Sequence, residues 1–207
     1  MLDNYTQDKN GVIRQITRTT EMLYDVKYVA DRYSSAPVNE MSHLRLGYII
    51  GSVGFVPESV LDIGYGSGDF LKAAIKIIPK VFGYDIPPAY PVNGVEIVES
   101  PFNDSYDVVT FFDSLEHFDD IYAIQALRTR YIVTSVPWCH YFSDEWFRDW
   151  KHRRPNEHLW HFDSTSLVSF MNDIGYELLN QCSIEDTIRK SDGAWKNILT
   201  ATFRHRQ

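Results

Sequence analysis

Cysteine is scarce in this chain: Cys139 and Cys182 are the two thiols in 207 residues. Two cysteines make no disulfide framework, and in the reducing cytoplasm expected here both should be free thiols. Long apolar runs are missing as well. None approaches the ~18 residues of a membrane span, and Met1-Leu2-Asp3-Asn4 lacks the basic-then-apolar pattern of a signal peptide. No membrane partner is expected. Positive charge is in deficit, with 20 Lys and Arg against 28 Asp and Glu and a net charge of −8. Such a surface repels a phosphate backbone and disfavours general nucleic-acid binding. Repeats and low-complexity tracts are absent too. What remains is the composition of an ordinary globule, 44% apolar and 23% charged, at a length that suits one domain.

The pattern along the chain is an alternation of strands and helices. Residues 1–36 are polar with scattered tyrosines and read as a lead-in, helical in part. Residues 38–54 carry Met41, Leu44, Leu46, Tyr48, Ile49, Ile50 and Val53 at helical spacing. Strands are then predicted at 60–63, 81–85, 94–98, 106–112 and 131–136, with helices at 70–78, 121–127 and 164–172. Two last strands, 177–184 and 195–203, flank the turn Ser191-Asp192-Gly193. Strand–helix alternation implies an α/β doubly wound, mostly parallel sheet. The closing strand pair implies an antiparallel strand at one edge. The chain reads as a single domain, with 1–56 a helical lead-in or lid and 57–207 a Rossmann-like core. Within the core, 138–162 is an insert on the acceptor side.

The segment Val60-Leu61-Asp62-Ile63-Gly64-Tyr65-Gly66-Ser67-Gly68-Asp69 carries the most information. An apolar strand runs into three glycines at alternate positions, with a carboxylate at the strand end, and a helix follows. That builds a cradle for a polar ligand at a helix N-terminus. A dinucleotide turn needs a sixth-position glycine or alanine, but Asp69 or Leu71 stands there. A triphosphate loop needs Gly-Lys-Ser/Thr, which is missing. Asp62 suits the ammonium of an amino acid, and Asp85, at the end of the second strand, can accept two ribose hydroxyls. An amino acid joined to a nucleoside describes S-adenosylmethionine.

These motifs carry a resemblance over roughly residues 38–204 to the class I S-adenosylmethionine-dependent methyltransferases, nearest their small-molecule group with the ubiquinone-pathway O-methyltransferases. Val60–Gly68 resembles that family's first motif, and Gly83-Tyr84-Asp85 its ribose-binding second. Tyr106–Thr110 with Ser114-Leu115-Glu116-His117 resembles the fourth strand and its Leu-Glu-His signature. Ser42–Ile49 resembles the helix whose arginine meets the cofactor carboxylate. The resemblance implies a seven-stranded sheet and S-adenosylmethionine as cofactor. It implies cofactor contacts from Arg45, Asp62, Gly64, Tyr65, Gly66, Gly68, Asp85, Ile86, Asp113, Ser114 and Leu115, and names Glu99 for the adenine. Tyr65 stands where many members have a small residue.

Methyl transfer from a sulfonium is a direct displacement that needs alignment above all, and an oxygen nucleophile gains from a base. His117, past the fourth strand, is the first candidate, and the alternative is that it packs the loop beside the cofactor. His158 and His161 follow as substrate contacts or alternative bases. With Asp163 these two histidines also match a two-histidine, one-carboxylate metal set. No metal is expected there, since Asp163 reads as a helix N-cap. Arg148, Lys151, His152, Arg153 and Arg154 form a solvated basic face or, through Arg153 and Arg154, an anchor for an acidic or phosphorylated acceptor. Trp138 belongs to an aromatic-dense stretch that packs or stacks on a flat substrate. After the fourth strand Phe112-Asp113-Ser114-Leu115 replaces the Asn/Asp-Pro-Pro-Tyr/Phe of nucleic-acid amino-methyltransferases. The expectation is methyl transfer to a small-molecule acceptor at oxygen. The alternatives are a cofactor-binding protein without transfer, a cofactor-degrading lyase and another Rossmann-type enzyme.

Overall fold

The structure is a computed structural model that describes residues 2–20, 37–86, 90–189 and 195–206. Five consecutive parallel strands form most of one sheet: β3 (Ser59–Ile63), β4 (Lys80–Tyr84), β5 (Glu96–Ile97), β6 (Ser105–Phe112) and β7 (Arg128–Pro137). β9 (Tyr176–Cys182) and β10 (Ile198–His205) complete it in the order β5-β4-β3-β6-β7-β10-β9. β10 is antiparallel to both its neighbours, so the reversed strand lies one place in from the edge. The predicted turn at 191–193 lies outside the described residues.

The strand order changes direction at β3 and β6. β3 pairs with β4 on one side and with β6 on the other, so the chain crosses over between them. At such a switch point the carboxyl ends of adjacent strands leave a crevice. The first glycine turn leaves β3 at that point.

Burial on both faces explains the apolar strands. Val109, Phe111 and Ile132 face one side, where Leu167, Phe170 and Met171 of helix α4 (Ser164–Asp173) cover them. Val60, Val108 and Val133 face the other, under Leu46 and Ile49 of α1 (Val38–Val53) and Phe70 and Leu71 of α2 (Asp69–Ala74). Asp163 caps α4 through a reciprocal box with Ser166, so its carboxylate is committed to that helix start.

Two expectations need correction. Residues 5–15 are no helical lead-in. β1 (Tyr5–Gln7) and β2 (Ile13–Gln15) form an antiparallel hairpin, and β2 pairs with β8 (Trp160–His161) inside the 138–162 insert. Residues 21–36 lie outside the described part. The helix expected at 121–127 is a 3₁₀ stretch, Ile121–Ala126, started by the Asp120 side chain and followed at once by β7. The chain turns extended at Leu127, whose N–H closes the stretch on the Ile124 carbonyl with the i→i+3 bond of a 3₁₀ turn. The insert also holds a short helix, α3 (Asp144–Asp149), and the last helical turn, α5 (Asp186–Arg189), follows β9.

Candidate active site

The glycine turn is shaped by backbone angles. Gly64, Gly66 and Gly68 all have positive φ, at 78°, 53° and 72°. A Cβ on Gly64 would stand 2.5 Å from Ser114 Cβ, and one on Gly68 would stand 2.4 Å from Val92 Cγ2. The turn therefore closes against the loop after β6 and against the segment before β5. Gly83 is needed for packing: a Cβ there would reach the Tyr65 ring at 2.8 Å. Tyr65 lies buried over it and donates its hydroxyl to the Tyr90 carbonyl at 2.7 Å.

The carboxylates sit at the strand ends. Asp62 is 2% exposed and accepts from Thr110 Oγ1 at 2.6 Å. Burial pushes its carboxyl up to about 7, against the pull of that hydrogen bond and of Arg45. Asp85 accepts from Gly66 N and Ile86 N, both at 2.8 Å, and burial raises its pKa. Each of its oxygens keeps a lone pair for a ligand hydroxyl.

A four-charge cluster closes the cavity beside them. Arg45, from α1, donates Nε to Glu185 at 2.7 Å and Nη2 to Asp113 at 2.8 Å. Its guanidinium lies 4.4 Å from the centre of the Phe112 ring. Arg189 reaches the same two acids, with Nε 3.0 Å from Glu185 and Nη1 2.8 Å from Asp113. Burial opposes the Arg45 charge, but Glu185 and Asp113 outweigh it and hold the guanidinium above its ordinary range. Burial likewise pushes the Asp113 carboxyl up, and Arg189 with Arg45 reverses this and holds it well below the usual range. Asp113 takes a left-handed backbone at φ 58°, and its N–H donates to the Ser135 carbonyl at 2.9 Å. The clamp on its side chain keeps it in that uncommon conformation.

One cavity of about 800 Å³ joins these groups. Asp62, Gly64, Tyr65, Gly66, Asp85, Ile86, Arg45, Asp113 and Ser114 line it. So do His117, His152, Arg154, Arg18, Arg189 and Asn197. The site thus offers an acid for an ammonium, guanidinium groups for a carboxylate and an acid for ribose hydroxyls. That donor set fits S-adenosylmethionine. A family model described as a methyltransferase domain matches residues 39–181, the span that holds all of the cradle. The chain belongs to this methyltransferase family. It is a class I enzyme that uses S-adenosylmethionine.

Solved structures share the fold of this methyltransferase at low identity. One is the 1,6-didemethyltoxoflavin-N1-methyltransferase of Burkholderia thailandensis, with its substrate and S-adenosylhomocysteine bound. It is 13% identical at a TM-score of 0.62, over 99% of this chain and 100% of that one. Another is the magnesium protoporphyrin IX methyltransferase of Synechocystis PCC 6803. It is also 13% identical, at 0.56, over 81% and 83%. The N-methyltransferase NodS of Bradyrhizobium japonicum is 12% identical at 0.55, over 85% and 91%. No curated protein sequence matches the methyltransferase. Among its described residues no helix is long and apolar enough to cross a membrane.

Several expected site residues stand away from the cavity. Leu115 is fully buried in the core, and Gly68 acts through the turn. Glu99 is exposed beyond β5 and does not line the cavity. Trp138 stacks on His140 at 5.5 Å. Arg153 donates to the Arg148 carbonyl and lies over the Tyr5 ring, outside the cavity wall. His158 lies directly behind His117, ring centres 4.7 Å apart and edge-on. His161 packs among Tyr5, Phe147 and Trp150, and burial pushes its pKa down to about 3.

Sequence reasoning missed Glu185, Arg189, Arg18 and Asn197. It had His152 only as part of the basic face. His152 accepts no charge readily, since burial pushes its pKa down to about 4, and its Nε2 meets Asn197 Oδ1 at 2.7 Å.

Proposed function

We propose that this methyltransferase transfers its methyl group to an oxygen of a small acidic or phosphorylated molecule, and that His117 activates that oxygen. The observation that carries the reading is the shared cavity: His117, His152, Arg18 and Arg154 line the same space as Asp62 and Asp85. In this reading the cradle holds the donor, with Asp62 at the ammonium, Arg45 at the carboxylate and Asp85 at the ribose. The rest of the cavity then receives the acceptor.

The chemistry follows from that division. The leaving thioether is neutral and needs no acid, so the residues must align the two molecules and exclude water. An acceptor hydroxyl becomes a good nucleophile as its proton is drawn off, and His117 is the imidazole beside the cavity at the carboxyl edge of the sheet. Arg154 and Arg18 also line the cavity, held at 3.0 Å by Glu157 and Asp119, and a negatively charged acceptor would take up their remaining N–H donors. The small-molecule class is supported by relatives of this fold whose substrates are 1,6-didemethyltoxoflavin and magnesium protoporphyrin IX.

The test is transfer from methyl-labelled S-adenosylmethionine to a panel of hydroxy acids, phosphorylated sugars and the corresponding amines. Label in the acids, abolished by His117→Ala while cofactor binding persists, is the expected result. Transfer confined to the amines would overturn the oxygen reading.

A further inference from the structure

We propose that Glu116, His117 and His158 form a divalent-metal site of the zinc type in the cavity wall. One carboxylate and two imidazoles meet there, with their ligand atoms all within 4.8 Å of one another. Among the described residues no other such group occurs, and the set His158, His161 and Asp163 is not one. A tetrahedral zinc site has donor atoms about 3.4 Å apart, so small side-chain rotations complete it.

His158 supplies an independent observation. It is 1% exposed, and its Nδ1 faces the His152 carbonyl at 2.8 Å. A nitrogen facing a carbonyl must carry the proton, which leaves a lone pair on Nε2. That Nε2 has no hydrogen-bond partner, and Glu157 Oε1, 3.8 Å away, is beyond hydrogen-bond reach. A carbonyl behind the second ring nitrogen is what orients metal-binding histidines. Backbone bonds pin the three residues together: Leu159 N donates to the Glu116 carbonyl at 2.8 Å, and His117 N to the Ser114 carbonyl at 3.0 Å.

Two histidines and one glutamate with a fourth position open is a catalytic zinc arrangement. Glu116 and His158 are buried, whereas His117 lines the cavity, so the open position faces the acceptor. The role rests on the oxygen-acceptor reading, but occupancy of the site does not. A metal-bound acceptor hydroxyl loses its proton to solvent at lower pH. Its oxygen forms the O–CH3 bond as the S–CH3 bond breaks, and the bonding pair stays on sulfur, which becomes a neutral thioether. With the metal bound, His117 activates the acceptor oxygen through the metal it holds; in the metal-free protein it is the base.

The experiment uses the full chain after dialysis against a chelator. Zinc chloride and cobalt(II) chloride are titrated by calorimetry and by visible absorption, and S-adenosylmethionine is titrated into the same samples. The expected result is one equivalent of metal, with cobalt absorption, and binding weakened at least about 100-fold by Glu116→Gln, His158→Gln and the half-buried His117→Ala. Thermal melting shows which variants remain folded, and His117→Ala keeps the test open if the buried ones do not. Absence of stoichiometric binding, or equal binding by folded His117→Ala, overturns the site. Cofactor binding without metal binding refutes this inference and leaves the methyltransferase reading standing. Metal binding without cofactor binding does the reverse.

Discussion

Cofactor binding should depend on pH through Asp62. Its carboxyl is pushed from 3.8 up to about 7, close to three units, and each unit is about 1.4 kcal/mol. Burial therefore disfavours its charge by roughly 4 kcal/mol, and an ammonium beside it restores the charged form. Below pH 7 the free enzyme holds a proton there that the cofactor must expel. With a pKa near 7, affinity should fall about tenfold from pH 7.5 to 6 and about a hundredfold by pH 5. Calorimetry in buffers of different ionisation enthalpy should report release of close to one proton per cofactor at pH 6. Asp62→Asn should flatten this profile and bind weakly throughout. The same shift has a stability sign. The folded pKa lies above the unfolded one, so this group penalises the fold above pH 7, and the penalty disappears as pH falls towards 3.8. Asp62→Asn should therefore melt higher than the natural protein at pH 8 without cofactor, by several degrees at about 2–4 °C per kcal/mol. A flat affinity between pH 5 and 7.5, with no proton release, would refute the reasoning.

Glu185→Ala strips both arginines of a fully buried partner and should cost about 3–5 kcal/mol of stability, seen in thermal melts, because it leaves buried charge uncompensated. Gly68→Ala must place a Cβ against Val92 at positive φ. It should weaken cofactor binding and cost about 1–3 kcal/mol by denaturant titration. Arg154→Ala should raise the acceptor KM about tenfold with cofactor affinity unchanged, whereas Arg153→Ala, whose side chain lies outside the cavity wall, should leave the KM alone. Steady-state kinetics separates the two.

What the sequence made legible is what is built locally. Asp62, Gly64, Gly66 and Gly68 lie on one strand and its turn, so spacing alone sets their geometry, and Asp85 is tied to them by Gly66 N. Arg45 was legible through resemblance, yet its partners were not. Glu185 lies 140 residues from Arg45 in the chain, and Arg189 ends the single helical turn α5, which is too short to show periodicity. His152 and Asn197 meet only in three dimensions for the same reason. The hairpin at 5–15 escaped because its strands are three residues each, too short for alternation to register. Asn10-Gly11, with Gly11 at φ 80°, was the signal that marks its turn. The trio of His158, His161 and Asp163 looked like a set in sequence. Folding spends Asp163 on a helix cap and turns His161 into an aromatic cluster, while Glu116 and His117 arrive beside His158 from a distant loop.

The four-charge cluster has a consequence for biosynthesis. Arg45 and Asp113 emerge from the ribosome well before Glu185 and Arg189, which fix them in place. A nascent chain could fold its glycine turn early, since N-terminal segments fold first during synthesis. The four-charge corner would stay unassembled until the segment after β9 arrived. A translation product cut before Glu185 would hold the glycine turn without the four-charge corner beside it.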